Sequence, residues 1–102
     1  MLTYYIIYKS ETDRTPAGII VTGGGGVDAL IWNHRLGAWQ YNPSTAGDFL
    51  GPEENWDRYE TVPREVAERV APQVTGGEEL PDEDTIRWIF QWKGDPPQRE
   101  DD

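Results

Sequence analysis

The sequence contains no cysteine and a single histidine. The absence of cysteine excludes a disulfide framework, a thiolate metal site and a cysteine nucleophile. With one histidine, a zinc site would need an unusual set of carboxylates, so we predict no metal and no other cofactor. His34 lies in a loop-like stretch, residues 33–37, where an exposed side chain is a simpler interpretation than a general base. We therefore expect a protein that is not an enzyme.

Long hydrophobic runs are also lacking. The apolar stretch near the start of the chain, residues 2–8, is far shorter than a signal peptide or a membrane span requires, and no basic residues precede it. These features predict a cytoplasmic protein that is not embedded in a membrane. The 102 residues are enough for one domain. We expect that domain to cover residues 1–94 and residues 95–102 to form a disordered acidic tail.

Positive charge is scarce. The chain has 9 Lys and Arg against 19 Asp and Glu, which gives a net charge of −10 at pH 7. Residues 1–42 are neutral overall, so the whole excess lies in residues 43–102. Such a surface repels nucleic-acid phosphate and anionic lipid and attracts basic partners, although net charge alone also keeps a small protein soluble. We predict no direct binding of nucleic acid or membrane.

A run of four glycines, residues 23–26, follows an apolar β-branched stretch and raises the question of a phosphate-binding loop. The dinucleotide fingerprint needs glycine at the first, third and sixth positions. Counted from Gly23, the sixth position is Asp28, whose carboxylate would repel phosphate. The Lys and the Ser or Thr of a P-loop are absent. The run therefore predicts a turn between two antiparallel strands.

The pattern of apolar residues predicts an α+β fold. We expect an antiparallel sheet of four or five strands, arranged as two consecutive hairpins, with two or three helices on one face. β-Branched and aromatic residues mark the strands, and period-2 spacing places Leu30 and Trp32 on the same face as Trp39 and Tyr41. A helix is the alternative for residues 28–35. The predicted strands are residues 2–9, 17–22, 28–33, 38–42 and, as a short fifth strand, 58–62.

Three helices are predicted after residue 42. Residues 43–50 favour a short helix, and residues 63–71 a second helix that starts at Pro63 and ends at Pro72. The strongest pattern covers residues 81–93. Acidic residues at its start complement the helix dipole, and Lys93 with Gly94 closes it.

Five tryptophans are many for so short a chain. At about 100° per residue, the apolar arc of the last helix spans about 200°, whereas a core-facing stripe is usually nearer 100°. Ile86, Ile89 and Phe90 form the stripe predicted to pack on the sheet. Trp88 and Trp92 lie beyond its edge, so either a neighbouring element covers them or they form an exposed aromatic patch, which is typical of binding hot spots.

Two acidic clusters, residues 53–57 and 78–84, accompany these tryptophans. Their spacing does not match a calcium-binding loop. Together with the tryptophans they suggest a candidate interface that comprises Trp88, Trp92, Trp56, Glu53, Glu54, Asp57 and Asp84.

The functional hypothesis from the sequence is a non-enzymatic protein-interaction module that presents an acidic surface to a basic protein partner. An inhibitor or immunity-type protein is a specific version. The alternative is a small self-associating structural or accessory subunit, whose partner is a second copy of the chain. A third possibility is a small enzyme that uses carboxylates, although no motif singles out two of them.

Three stretches, "DALIWNHRLGAWQYN", "RYETVPREVAERVA" and "LPDEDTIRWIFQWKGDPP", resemble a set of small acidic proteins from actinobacteria. The resemblance covers most of residues 3–97 and depends on general pattern. It implies a bacterial cytosolic setting. It implies no activity and no catalytic residue.

Overall fold

The computed structural model describes residues 1–93, which form a five-stranded antiparallel sheet in the order β4-β3-β2-β1-β5, with helices on both of its faces. The predicted α+β fold is confirmed. Gly94 and the predicted tail, residues 95–102, lie outside the described residues. The strands are β1 Thr3–Tyr8, β2 Pro16–Gly23, β3 Asp28–Asn33, β4 Ala38–Tyr41 and β5 Tyr59–Val62. The helices are α1 Pro43–Leu50, α2 Arg64–Thr75 and α3 Glu83–Gln91, with a 3-10 helix at Glu53–Arg58.

The two predicted hairpins are present as β1–β2 and β3–β4. Residues 28–33 form a strand, so the helical alternative for this stretch is wrong. Trp32 lies opposite Trp39 in the register, and their rings meet edge to face with centroids 5.2 Å apart. Such an aromatic pair across two strands stabilises the hairpin that carries it.

The glycine run is a turn, as predicted. Gly24, Gly25 and Gly26 have φ values of 58°, 73° and 93°, a region that other residues rarely adopt, and they connect the antiparallel strands β2 and β3.

Gly23 is required for a different reason, its close contact with helix α3. A Cβ at this position would lie 2.9 Å from Cε2 of Phe90, so α3 approaches the sheet closely only because residue 23 has no side chain.

The main core lies between the sheet and the pair α2 and α3. Ala67 and Ala71 of α2 and Ile86 and Phe90 of α3 are buried against strand residues that include Leu30. The expected placement of two helices on one face therefore holds for α2 and α3.

The short helix α1 lies on the opposite face, where Ala46 packs against Ile20 and Ala29. Strands β2 and β3 carry apolar side chains on both faces of the sheet. Covering the second face with a helix therefore removes further apolar surface from water and stabilises the fold.

Helix α2 continues through Pro72, so the predicted end at that residue is wrong. Proline removes one backbone hydrogen bond, but Ala71 and Val74 are buried and hold the last turn on the core. The helix ends at Gly76, which has a φ of 80°. The N–H groups of Gly76 and Gly77 both donate to the carbonyl oxygen of Pro72, at 3.0 and 2.9 Å.

We predict that Gly23→Ala lowers the free energy of unfolding by about 1–3 kcal/mol, because the new methyl group forces Phe90 away from the sheet. Urea unfolding monitored by circular dichroism measures the change. Gly47→Ala is the matched control. It lies inside α1, where a Cβ meets nothing within 4 Å, so it should raise the free energy of unfolding by roughly 0.5–1 kcal/mol. A loss of stability in both variants, or in neither, would contradict this assignment.

Candidate functional site

Helix α3 begins with a capped and acidic first turn. Asp82 is the N-cap, and its carboxylate accepts a hydrogen bond from the Thr85 backbone N–H at 2.8 Å. Hydrogen bonding at Thr85 holds the pKa of Asp82 below its usual value. The helix therefore starts two residues after the predicted Pro81, because the Asp82 side chain satisfies an N–H group that has no partner within the helix. Glu83 and Asp84 follow, and both lie within ion-pair distance of Arg87.

One side of α3 is fixed to the core. Ile86 is fully buried and Phe90 is 7% exposed. The Phe90 ring lies with its centroid 6.0 Å from that of Tyr41 on β4 and next to the backbone of Gly23. Ile89 is half-buried at the border of the same core. The predicted apolar stripe of this helix is therefore in place.

The other side of α3 presents two tryptophans to solvent. Trp88 is 47% exposed and Trp92 is 38% exposed, so among residues 1–93 neighbouring elements leave much of both rings accessible. Asp84, Trp88 and Trp92 are spaced by four residues, which places them in one row along the helix. Trp92 is the C-cap residue, and its N–H donates to the Trp88 carbonyl oxygen at 3.2 Å. We call these three residues the α3 row.

The C-terminal end of α3 is tied to the sheet by a cluster of charged and polar groups. Asp28 Oδ1 on β3 accepts hydrogen bonds from the Tyr41 hydroxyl at 2.6 Å and from Lys93 Nζ at 3.1 Å. Lys93 has a φ of 54° and follows the C-cap residue Trp92, so α3 ends at Gln91, two residues before the predicted end. The Tyr41 hydrogen bond lowers the pKa of Asp28, and the same bond raises the pKa of Tyr41 to about 12.

Sequence reasoning missed this cluster. The sequence pattern singles out Asp28 only as a carboxylate that would repel phosphate, because its hydrogen-bond partners lie 13 and 65 residues further along the chain. The one local signal was the cation at the end of α3, which was interpreted as a helix terminator.

The remaining predicted interface residues lie elsewhere. Trp56 is 53% exposed, and it belongs with Glu53, Glu54 and Asp57 to the 3-10 helix Glu53–Arg58. Its indole N–H donates to the Gly51 carbonyl oxygen at 3.2 Å. This helix packs beside β5 and α1, and α1 covers the opposite face of the sheet from α3. The seven candidates therefore form two separate groups and not one surface.

His34 is exposed in the loop between β3 and β4, as predicted. Its Nε2 lies 2.7 Å from the Ala17 carbonyl oxygen, so that nitrogen carries the hydrogen and donates it. Within residues 1–93, no three histidine or acidic side chains come together in a way that could hold a metal ion. Serine and cysteine nucleophiles do not accompany His34 in this loop.

No protein-family model matches this chain, and comparisons with curated proteins and with solved structures return no match. Within the described part of the chain, every helix is too short or too polar to cross a lipid bilayer. The assignment of a site therefore depends on the geometry of α3 and its surroundings.

We predict that Tyr41→Phe raises the pKa of Asp28 and lowers the free energy of unfolding at pH 7 by about 1 kcal/mol. Because the pKa of Asp28 is lower in the folded than in the unfolded chain, its contribution to stability is present above about pH 4 and is lost as the pH falls through the folded-state value. The effect of the substitution should therefore be smaller at pH 3. Carboxyl NMR titration and urea unfolding at both pH values measure it.

Tyr59→Phe is the control for this prediction. Its hydroxyl donates to the Leu50 carbonyl oxygen at 2.7 Å, and a carbonyl does not titrate. Loss of that bond should cost the same free energy at pH 3 and at pH 7. An identical pH dependence for the two variants would show that Asp28 does not depend on Tyr41.

Proposed function

We propose that this protein is a non-enzymatic interaction module that binds a basic protein partner through the exposed side of α3. The observation that carries the proposal is the exposure of Trp88 and Trp92 side by side on a helix whose other side is fixed to the core. Tryptophan is enriched among the residues that dominate binding energy at protein interfaces. A bacterial cytoplasmic setting, which the resemblance implies, belongs to the same proposal.

The chemistry of the α3 row suits a cationic partner. The faces of the two indole rings attract guanidinium and ammonium groups through the ring quadrupole. The Asp84 side chain is fully exposed, and its nearest contact with Arg87 is long, at 3.9 Å, so its carboxylate is accessible to another cation. An arginine-bearing segment could therefore stack on an indole ring and form an ion pair with the carboxylate one turn away.

Helix α3 is held at both ends before any partner arrives. The Asp82 cap fixes its start, and the contact between Lys93 and Asp28 fixes its end. A preorganised surface loses less conformational entropy on binding, which leaves more of the contact energy for affinity. This rigidity supports a binding role for the two tryptophans.

The net charge of −10 supports the same partner chemistry. Long-range attraction raises the association rate of a basic protein, and added salt weakens it. An inhibitor or immunity-type protein that covers a basic, nucleic-acid-binding surface is a specific version of this function. The 3-10 helix with Trp56, Glu53, Glu54 and Asp57 adds a second acidic surface that can strengthen the attraction.

The test is affinity capture from the native lysate at low and high salt, followed by binding measurements with the purified partner. We expect one dominant basic protein that is recovered at low salt and lost at high salt. The double variant Trp88→Ala/Trp92→Ala should bind that protein at least about thirtyfold more weakly, since truncation of a single hot-spot residue already costs about 2 kcal/mol or more.

Trp56→Ala is the matched control, because Trp56 is more exposed than Trp88 and Trp92 but lies in the 3-10 helix Glu53–Arg58, away from the α3 row. It should keep near-native affinity. Circular dichroism confirms that each variant is folded. An equal loss in the control, or a partner whose binding is independent of both Trp88 and Trp92, would overturn the assignment of the α3 row. Recovery of the chain itself alone, with a dimer that persists at high salt, would favour the self-associating subunit.

A further inference from the structure

A cavity of about 310 Å³ lies on the face of the sheet that α1 covers, away from α3. Most of its wall is apolar and comes from three strands and one helix. The side chains of Ile7, Ile20, Ile31 and Phe49 form this wall, and Arg58 and His34 lie at its border. The volume is at the lower end of the range for ligand pockets, about 300–1,000 Å³, so a small molecule fits it better than a peptide.

Arg58 lines this cavity without a counter-charge. Within residues 1–93, no ion pair joins it to an acidic side chain, although the chain carries ten more acidic than basic residues. One Nη2 hydrogen bond reaches the Lys9 carbonyl oxygen at 3.3 Å. The Nε atom is buried and has no hydrogen-bond partner. Arg58 as a whole is half-buried. A guanidinium group without a counter-charge gains stability when an anion binds beside it.

Two neighbours hold the border of the cavity in place. The Arg58 guanidinium carbon lies 5.4 Å from the centroid of the Phe49 ring, within range of a cation–π contact. The His34 ring is anchored by its hydrogen bond to the Ala17 carbonyl oxygen. Its Nδ1 has no partner among the described residues. The Arg58 guanidinium group therefore lies next to the apolar wall of the cavity.

We propose that this cavity binds a small organic monocarboxylate, with its apolar part against the isoleucines and Phe49 and its carboxylate at Arg58. The guanidinium fork matches the two oxygens of a carboxylate. A ligand that is polar throughout, such as inorganic phosphate, would leave the apolar wall uncovered. The cavity and the α3 row lie on opposite faces of the sheet, so a negative result for one proposal does not bear on the other.

The first test compares octanoate with octan-1-ol, which has the same chain length and no charge. Each is titrated into the wild-type protein and followed by amide NMR chemical shifts. We expect shifts at the residues that line the cavity and an affinity at least about tenfold higher for octanoate. The net charge of the protein repels an anion in general, so a preference for octanoate requires a local cation.

The second test identifies that cation. Arg58→Gln should lose at least about tenfold in octanoate affinity and keep its octanol affinity. Arg35→Gln is the matched control, because Arg35 is exposed in the loop between β3 and β4 and does not line the cavity, and it should bind both probes as the wild type does. Equal binding of the two probes by the wild type, shifts outside the cavity, or an unchanged octanoate affinity in Arg58→Gln would overturn the proposal. If Arg58→Gln does not fold, the wild-type comparison of the two probes decides.

Discussion

The contact between the Phe90 ring and the backbone of Gly23 sets the position of α3 on the sheet. The absence of a side chain at residue 23 lets the ring lie against β2, where it also meets Tyr41 of β4. With Phe90 and Ile86 buried, the rotation of the helix about its axis is fixed. Trp88 and Trp92 lie on the opposite side of α3 and point away from the core. Exposure of the two tryptophans is thus a consequence of how the helix packs.

Local sequence chemistry was sufficient for part of this fold. The turn at the four glycines, the acidic start of α3 and the period-2 placement of Trp32 and Trp39 on one face depend on neighbouring residues and general geometry, so they could be predicted. The cap at Asp82 was not among them, because the predicted helix starts at Pro81. Helix geometry also places Trp88 outside the apolar stripe, but it leaves open whether a neighbouring element covers the ring, and the exposure is known only from the structure.

Other features depend on contacts between distant residues and could not be predicted. The continuation of α2 through Pro72 follows from the burial of Val74. Helix α1 buries little more than Ala46, so its spacing gave no indication of which face of the sheet it covers. Acidic clusters are visible in a sequence, but their separation onto two surfaces is not, which is why Trp56 and Trp88 were grouped together.

The two faces of the sheet differ in the charged groups that they carry. The exposed side of α3 combines aromatic rings with the exposed carboxylate of Asp84, which is the basis for proposing a cationic partner. Arg58 lies at the border of the cavity beneath α1 and forms no ion pair with an acidic side chain of residues 1–93, which is the basis for proposing an anionic ligand there. The sheet separates these two regions, so a partner on α3 and a small ligand beside Arg58 would not compete for space.

The edges of the sheet have a consequence for aggregation. Strands β4 and β5 are each four residues long, whereas the three inner strands have six to eight residues. A short edge offers another chain few backbone groups for pairing, and the exposed Glu60 of β5 places negative charge where a second copy would approach. Repulsion between like-charged molecules adds to this protection. The two edges of the sheet therefore offer little support for growth from molecule to molecule.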